Sequence, residues 1–176
     1  MSLKTRVTTE LNIQHPILLA PMTGVSGGTL AAAVSNAGGF GVIGGGYGDK
    51  EWLQRELLAA GNAPVAIGFI SWALQKCPDL LNVALAREPK AIFLSFGEIR
   101  SFASQIKQAG IPLIAQIQTV AQARVAASEG AEFIVAQGTV TREGERRLRK
   151  LSKIHFEELR AIGPTLTRIL KPFRRF

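Results

Sequence analysis

The sequence predicts an α/β protein of the (β/α)8 TIM-barrel type, incomplete, with about six β/α units followed by a basic helical tail. Three observations carry that prediction. Short apolar, β-rich runs recur about every 20 to 26 residues. Helical stretches alternate with them. The composition then changes abruptly near residue 141.

The runs are Ile17–Ala20, Gly41–Gly44, Val65–Ile70, Ala91–Phe96, Leu113–Gln118 and Phe133–Ala136. They are apolar almost throughout instead of alternating, as expected of parallel strands buried on both faces. Between them, helices are predicted over Leu30–Ala37, Lys50–Ala60, around Asp79–Ala86, over Glu98–Gln108 and over Val120–Glu129. Most stop at a glycine before the next run, as in Ala37-Gly38, Gly61-Asn62, Ala109-Gly110 and Gly130. Glycine there adopts the left-handed conformation without steric cost.

Strict alternation also suits an open doubly wound sheet, whose first strand should be followed by a glycine fingerprint. The literal match Gly39-Phe-Gly41-Val-Ile-Gly44 follows a helix and contains the second run, and no acidic residue stands about 20 residues beyond it. The barrel fits better. Complete barrels typically need about 250 residues, so two units are expected to be missing.

The formal net charge of +8 divides unevenly. Residues 1–141 hold ten Lys/Arg and nine Asp/Glu, a net of +1; residues 142–176 hold eleven and four, a net of +7. Two segments follow: a partial barrel over 1–141 and a basic tail over 142–176. In the tail, Leu148, Leu151, Ile154, Leu159 and Ile162 fall at helical spacing, with a turn at Gly163-Pro164 and a second short helix beyond. Binding of nucleic acid or an anionic surface by this tail has the charge but few aromatics, so it is disfavoured. No stretch reaches the roughly 18 apolar residues of a membrane span, and the polar N-terminus lacks a signal-peptide core, so a cytoplasmic protein is expected. Cys77, the single cysteine, excludes an intrachain disulfide and a cysteine-based zinc site; it reads as a partly buried thiol near a helix start. No metal site is predicted.

Several motifs in order resemble one family. They are His15-Pro-Ile-Leu-Leu-Ala-Pro-Met-Thr-Gly-Val-Ser26, Leu30-Ala-Ala-Ala-Val-Ser-Asn-Ala-Gly-Gly-Phe-Gly-Val-Ile-Gly-Gly-Gly-Tyr47, Ile67-Gly-Phe-Ile-Ser-Trp72, Leu94-Ser-Phe-Gly97 and Val135-Ala-Gln-Gly-Thr139. Together they resemble the nitronate monooxygenases, FMN-dependent barrels that oxidise alkyl nitronates with dioxygen to carbonyl products and nitrite. The resemblance runs over about residues 8–139. Enoyl reductases of the flavin-barrel type share parts of it and are the alternative, as is a non-catalytic fragment.

The resemblance implies FMN as cofactor, a small nitronate and dioxygen as reaction partners, and a set of cofactor-binding positions. Ala20, Pro21, Met22 and Thr23 would pass beside the isoalloxazine ring. Pro21 stiffens that turn because its φ is fixed. Gly68 stands where many relatives carry an Asn that contacts flavin, and relatives with a Gly-Phe-Ile-Thr-Trp motif also have Gly there. Gln116 and Gln137 would hydrogen-bond the cofactor, and Gly138 would let the backbone approach it. The glycines from Gly38 to Gly46 read as packing and turn positions ahead of a phosphate cradle.

The match then breaks in mid-motif. Relatives continue Gln-Gly-Thr-Glu-Ala-Gly-Gly-His-Gly, where the His is the catalytic base. This chain reads Gln137-Gly-Thr-Val-Thr-Arg-Glu-Gly-Glu145, placing Gly144 at the His position and leaving no catalytic residue to assign. His15 and His155 do not replace it: one precedes the first run, the other lies in the tail. The strand-end motifs that hold the FMN phosphate are also not found. Truncation after the sixth strand is the expectation, and a frameshift or early stop would produce both the broken motif and the charge jump. Six strands would leave open apolar edges on the first and sixth, inviting self-association and weakening activity.

Overall fold

The computed structural model describes residues 4–137 and a strand at Thr167–Leu170. The elements are α1 (Arg6–Glu10), α2 (Gly28–Asn36), β1 (Val42–Gly44), α3 (Lys50–Ala60), β2 (Ala66–Ile70), α4 (Ser71–Lys76), α5 (Asp79–Leu85), β3 (Ile92–Ser95), α6 (Arg100–Gln108), β4 (Leu113–Ile117), α7 (Val120–Ser128), β5 (Phe133–Ala136) and β6 (Thr167–Leu170). The sheet is six-stranded with order β1-β2-β3-β4-β5-β6, and every ladder is parallel. Each strand lies next to its successor. A doubly wound sheet would reverse its order at a switch point; this one does not, which settles the choice in favour of the barrel type.

The apolar runs hide a two-residue period that the layers reveal. One side chain from each pair faces the helices: Ile43, Ile67, Phe69, Ile92, Leu94, Leu113 and Ala115 pack there with Leu53, Leu81 and Ile106. The alternate set faces the concave side, where Val42, Ala66, Phe93, Ile114, Phe133 and Val135 form a second cluster with Leu11 and Phe40. Such side chains, fully buried, contribute about 1.5–3 kcal/mol each. Beside α1, Val7 and Ile13 pack on this second cluster, and α1 also lies close to β6, so the sheet curls back toward the chain's start.

Local signals explain the helix ends. Asp49 caps α3 by accepting from Trp52 N at 2.9 Å, and Thr119 with Gln122 forms a capping box at α7. The α2–α3 crossing is very close: a Cβ on Gly28 would stand 1.8 Å from the Glu56 carbonyl oxygen. The Glu56 carboxylate in turn accepts from Gly28 N at 3.0 Å and fills the start of α2.

Three expectations need correction. The first run is not a strand: Leu18 makes only an isolated parallel bridge to Phe40, bounded by Leu19 N→Phe40 O and Phe40 N→Ile17 O. Pro16 and Pro21 bracket it and supply no N–H, which leaves too little backbone for a ladder. Residues 167–170, expected within a second short helix, form β6 instead. The predicted open edge on Phe133–Ala136 is therefore paired, in register Phe133↔Thr167 through Ala136↔Leu170. The helical spacing noted from Leu148 to Ile162 lies outside the described residues. Two helices went unpredicted, α1 and α4, both short.

Candidate functional site

The carboxyl ends of the parallel strands gather the candidate residues. The backbone after the first run, Ala20-Pro-Met-Thr23, crosses the end of β1. It is held by the fully buried Ser26, whose hydroxyl accepts from Met22 N and donates to Met22 O at 3.0 Å. Ser26 O then accepts from Gly44 N at 2.8 Å, tying the loop to β1. A Cβ on Gly44 would lie 2.7 Å from the Met22 carbonyl carbon, so the approach needs glycine. Gly68 serves the same loop: its Cβ would fall 2.3 Å from Pro21 Cβ, so the Pro21 ring occupies the space over it.

Pro21, Ala20 and Thr23 are half-buried and Met22 is exposed. Exposed apolar side chains recur at successive strand ends: Met22 after the first run, Tyr47 after β1, Trp72 after β2 and Phe96 after β3, each between 44% and 64% accessible. Four such residues lie along this rim; Ile17, Val25, Leu30 and Leu58 are exposed as well. Tyr47 and Trp72 stand 6.1 Å apart, and the Lys76 ammonium lies 5.2 Å from the Trp72 ring.

Across the rim, polar groups converge. Gln116 ends β4 facing the concave side, and Gln137 follows β5 with the same facing. Gln116 Nε2 donates to Gln137 Oε1 at 2.9 Å, and Gln118 Nε2 donates to the same oxygen at 3.1 Å. Sequence reading brought out Gln116 and Gln137 but missed Gln118, although a strand's two-residue period puts 116 and 118 on one side. Beside this trio opens a cleft of about 330 Å³ between Phe96 and α7.

Gly138 and Gly144 lie outside the described residues. His15 is exposed at the opposite end of the sheet, where its backbone N–H donates to Gly38 O at 2.9 Å ahead of β1. Cys77 is half-buried at the end of α4. Among the described residues no group of acidic, His or Cys side chains could hold a metal, and no helix is long and apolar enough to cross a membrane.

The fold is of the (β/α)-barrel type, with the candidate cluster at the carboxyl ends of its strands. Over residues 4–68 the chain matches the family model described as nitronate monooxygenase. It is 32% identical to a nitronate monooxygenase of Pseudomonas aeruginosa over 76% of this chain and 50% of that protein. It is 27% identical to a probable nitronate monooxygenase of Staphylococcus saprophyticus over 79% of this chain and 50% of that one. The chain belongs to the nitronate monooxygenase family. It spans about half the length of the curated relatives it matches. Among solved structures, FabK from Thermotoga maritima superposes with a TM-score of 0.70 at 29% identity, over 78% of this chain and 45% of FabK. A nitroalkane oxidase from Streptomyces ansochromogenes superposes with a TM-score of 0.67 at 21% identity, over 93% and 60%, a likeness of fold.

Proposed function

We propose that the chain is an FMN-binding oxidoreductase module whose chemistry is the oxidation of alkyl nitronates by dioxygen to a carbonyl product and nitrite. The observation that carries this reading is the rim itself: an apolar ledge from Ala20-Pro-Met-Thr23 over Gly68 faces a cluster of carboxamides at Gln116 and Gln137. A flat ring with polar edges needs both.

The donor set fits a flavin ring. Pro21, locked over Gly68, gives a rigid apolar face, and Met22 adds a polarisable edge. Gln137 Oε1 already accepts two bonds, which leaves Gln137 Nε2 as a donor and Gln116 Oε1 as an acceptor, without partners among the described residues. These two atoms would orient the ring's polar edge. The phosphate end is different. The start of α2, beside the Gly24–Gly28 turn, is filled by the Glu56 carboxylate and would repel a phosphate. Gly138 would pass close to the cofactor and belongs to the same proposal.

Flavin, when bound, supplies the electron transfer between nitronate and dioxygen. The chain's own part is binding, orientation and exclusion of water. With Gly144 at the family's His position, the described residues place no imidazole at the rim to take a proton from a neutral nitroalkane. The nitronate must then arrive already ionised. Amide N–H donors at the rim suit its nitro oxygens.

Nitrite release by the FMN-supplemented chain tests the reading: slow turnover of preformed ethyl nitronate with none on neutral nitroethane is expected, and equal rates on both would contradict it. The FabK likeness favours a second reading, enoyl reduction. Oxidation of NADH that depends on an enoyl thioester, without nitrite release from nitronate, would select that one. Placement in the cytoplasm and self-association through the remaining sheet edge belong to the same proposal, and equilibrium sedimentation reads the second.

A further inference from the structure

A second cavity, of about 380 Å³, opens at the opposite end of the sheet from the strand-end rim. It lies at the carboxyl end of α3, where residues 63–65 lead into β2 and residues 86–89 lead toward β3. Its lining falls within residues 57–67 and 86–89 and includes none of the positions assigned to the flavin. The volume is that of a small-molecule site. The floor is apolar: Leu57, Ala60, Val65 and Ile67 are buried and belong to the layer between sheet and helices. Pro64 and Pro89 stiffen the two connecting segments.

Two adjacent charges of opposite sign stand over this floor. Arg87 is fixed in place, because Nη2 donates to Leu57 O at 3.4 Å and to Gly61 O at 3.1 Å. Both hydrogens of that nitrogen are then committed to the last turn of α3, and Nε and Nη1 are left as donors. Glu88 follows directly. Among the described residues it is paired neither with Arg87 nor with another cation, so its carboxylate keeps both oxygens as acceptors. The carboxyl end of α3 adds the negative pole of a helix dipole to the same cavity, which favours a cation there.

The backbone of Glu88 is strained. Its φ is +47°, left-handed, just past the end of α5, where glycine or asparagine is the usual residue. It also precedes Pro89, and a proline presses the residue before it toward extended conformations. Glycine would relieve both constraints, yet the chain carries a charged side chain at this position, exposed to solvent. Strain held without burial in exchange points to a use for the carboxylate.

We propose that this cavity binds a free α-amino acid with an apolar side chain. The ligand's carboxylate meets Arg87, its ammonium meets Glu88 beside the end of α3, and its side chain lies over Leu57 and Val65. The proposal stands on these groups and not on the flavin reading.

Leucine, 4-methylpentanoate and 3-methylbutylamine share one apolar branch and differ in charge: the second lacks the ammonium and the third lacks the carboxylate. Titrated into the full chain and followed by backbone amide shifts, leucine should move the resonances of Gly61, Arg87 and Glu88 saturably. Each single-charge analogue should bind at least tenfold more weakly. Glu88→Gln keeps the backbone and loses the charge, so leucine should weaken at least tenfold while 4-methylpentanoate binds as before or more tightly. Glu88→Gly also relieves the backbone, so it should keep or raise Tm with the same loss of leucine. Saturating FMN should leave leucine binding unchanged. Absence of a saturable leucine shift, equal binding of leucine and either analogue, full leucine affinity in either variant, weaker 4-methylpentanoate in Glu88→Gln, a fall in Tm for Glu88→Gly, or displacement of leucine by FMN would each overturn the proposal. A chain that binds leucine in this way but no FMN would sink the flavin reading alone.

Discussion

Gln116 and Gln137, 21 residues apart in sequence, meet at the carboxyl ends of β4 and β5, where Gln116 Nε2 donates to Gln137 Oε1 at 2.9 Å. The bond links two parallel strands at their open end, and Gln118 makes a second bond to the same oxygen at 3.1 Å. Gln137 is thus the hub on which the other two carboxamides are oriented.

Gln137→Ala removes that hub. Gln116 and Gln137 are half-buried and Gln118 is exposed, so the lost bonds should cost only about 1 kcal/mol of stability. FMN affinity should fall more, about tenfold, because Gln116 would lose its orientation as well as its partner. Fluorescence titration of FMN against the variant, with thermal melts alongside, separates the two effects. A variant with full FMN affinity would remove Gln137 from the site.

Gly68→Ala tests the ledge. The new Cβ would fall 2.3 Å from Pro21 Cβ, and neither the proline ring nor β2 can yield easily. Overpacking of this kind costs about 1–3 kcal/mol. A melt should show a Tm lower by roughly 2–4 °C per kcal/mol for a chain of this size. An unchanged Tm would mean that the Pro21 turn is free to move.

Glu56→Ala removes the carboxylate at the start of α2. Glu56 is largely buried and its acceptor role is to a backbone N–H, so the loss should be about 1.5 kcal/mol. Glu56→Gln retains an oxygen acceptor and should recover much of it. The neighbouring pair with Arg55, at 3.4 Å and mostly exposed on the arginine side, contributes little. Urea melts of the three proteins rank them; equal midpoints would dismiss the cap.

Removal of residues 167–176 should uncover the edge of β5. The four residues of β6 pair the whole of Phe133–Ala136, and an unpaired parallel edge of apolar residues recruits other chains. Light scattering at fixed concentration should rise in the shortened chain. Scattering equal to that of the full chain would show that β6 does not protect this edge.

Much of the barrel is legible in the sequence because its strands are buried on both faces. Ile92-Phe-Leu94 is uniformly apolar, and that uniformity signals a parallel strand. It also conceals which side chains face inward: Phe93 and Ile92 differ in layer but not in character. Pro16 and Pro21 around the first run were visible, yet the apolar stretch between them outweighed their missing donors. α4 begins directly at Ser71 with no capping side chain, so nothing marks its start. Thr167-Arg-Ile-Leu170 is β-prone, but the surrounding charge reads as a helix surface. For the site, glutamines at the ends of apolar strands were legible as outliers in polarity. Gln118 was not, because it falls just past the apolar run, and the strain at Glu88 is a backbone property with no letter in the sequence.

The central claim is that the strand-end rim holds a flavin. FMN fluorescence titrated with the full chain tests it most directly. Saturable quenching by folded protein, weakened about tenfold in Gln137→Ala, is the predicted result. Unquenched FMN in the presence of a chain whose circular dichroism shows the intact α/β fold would contradict it.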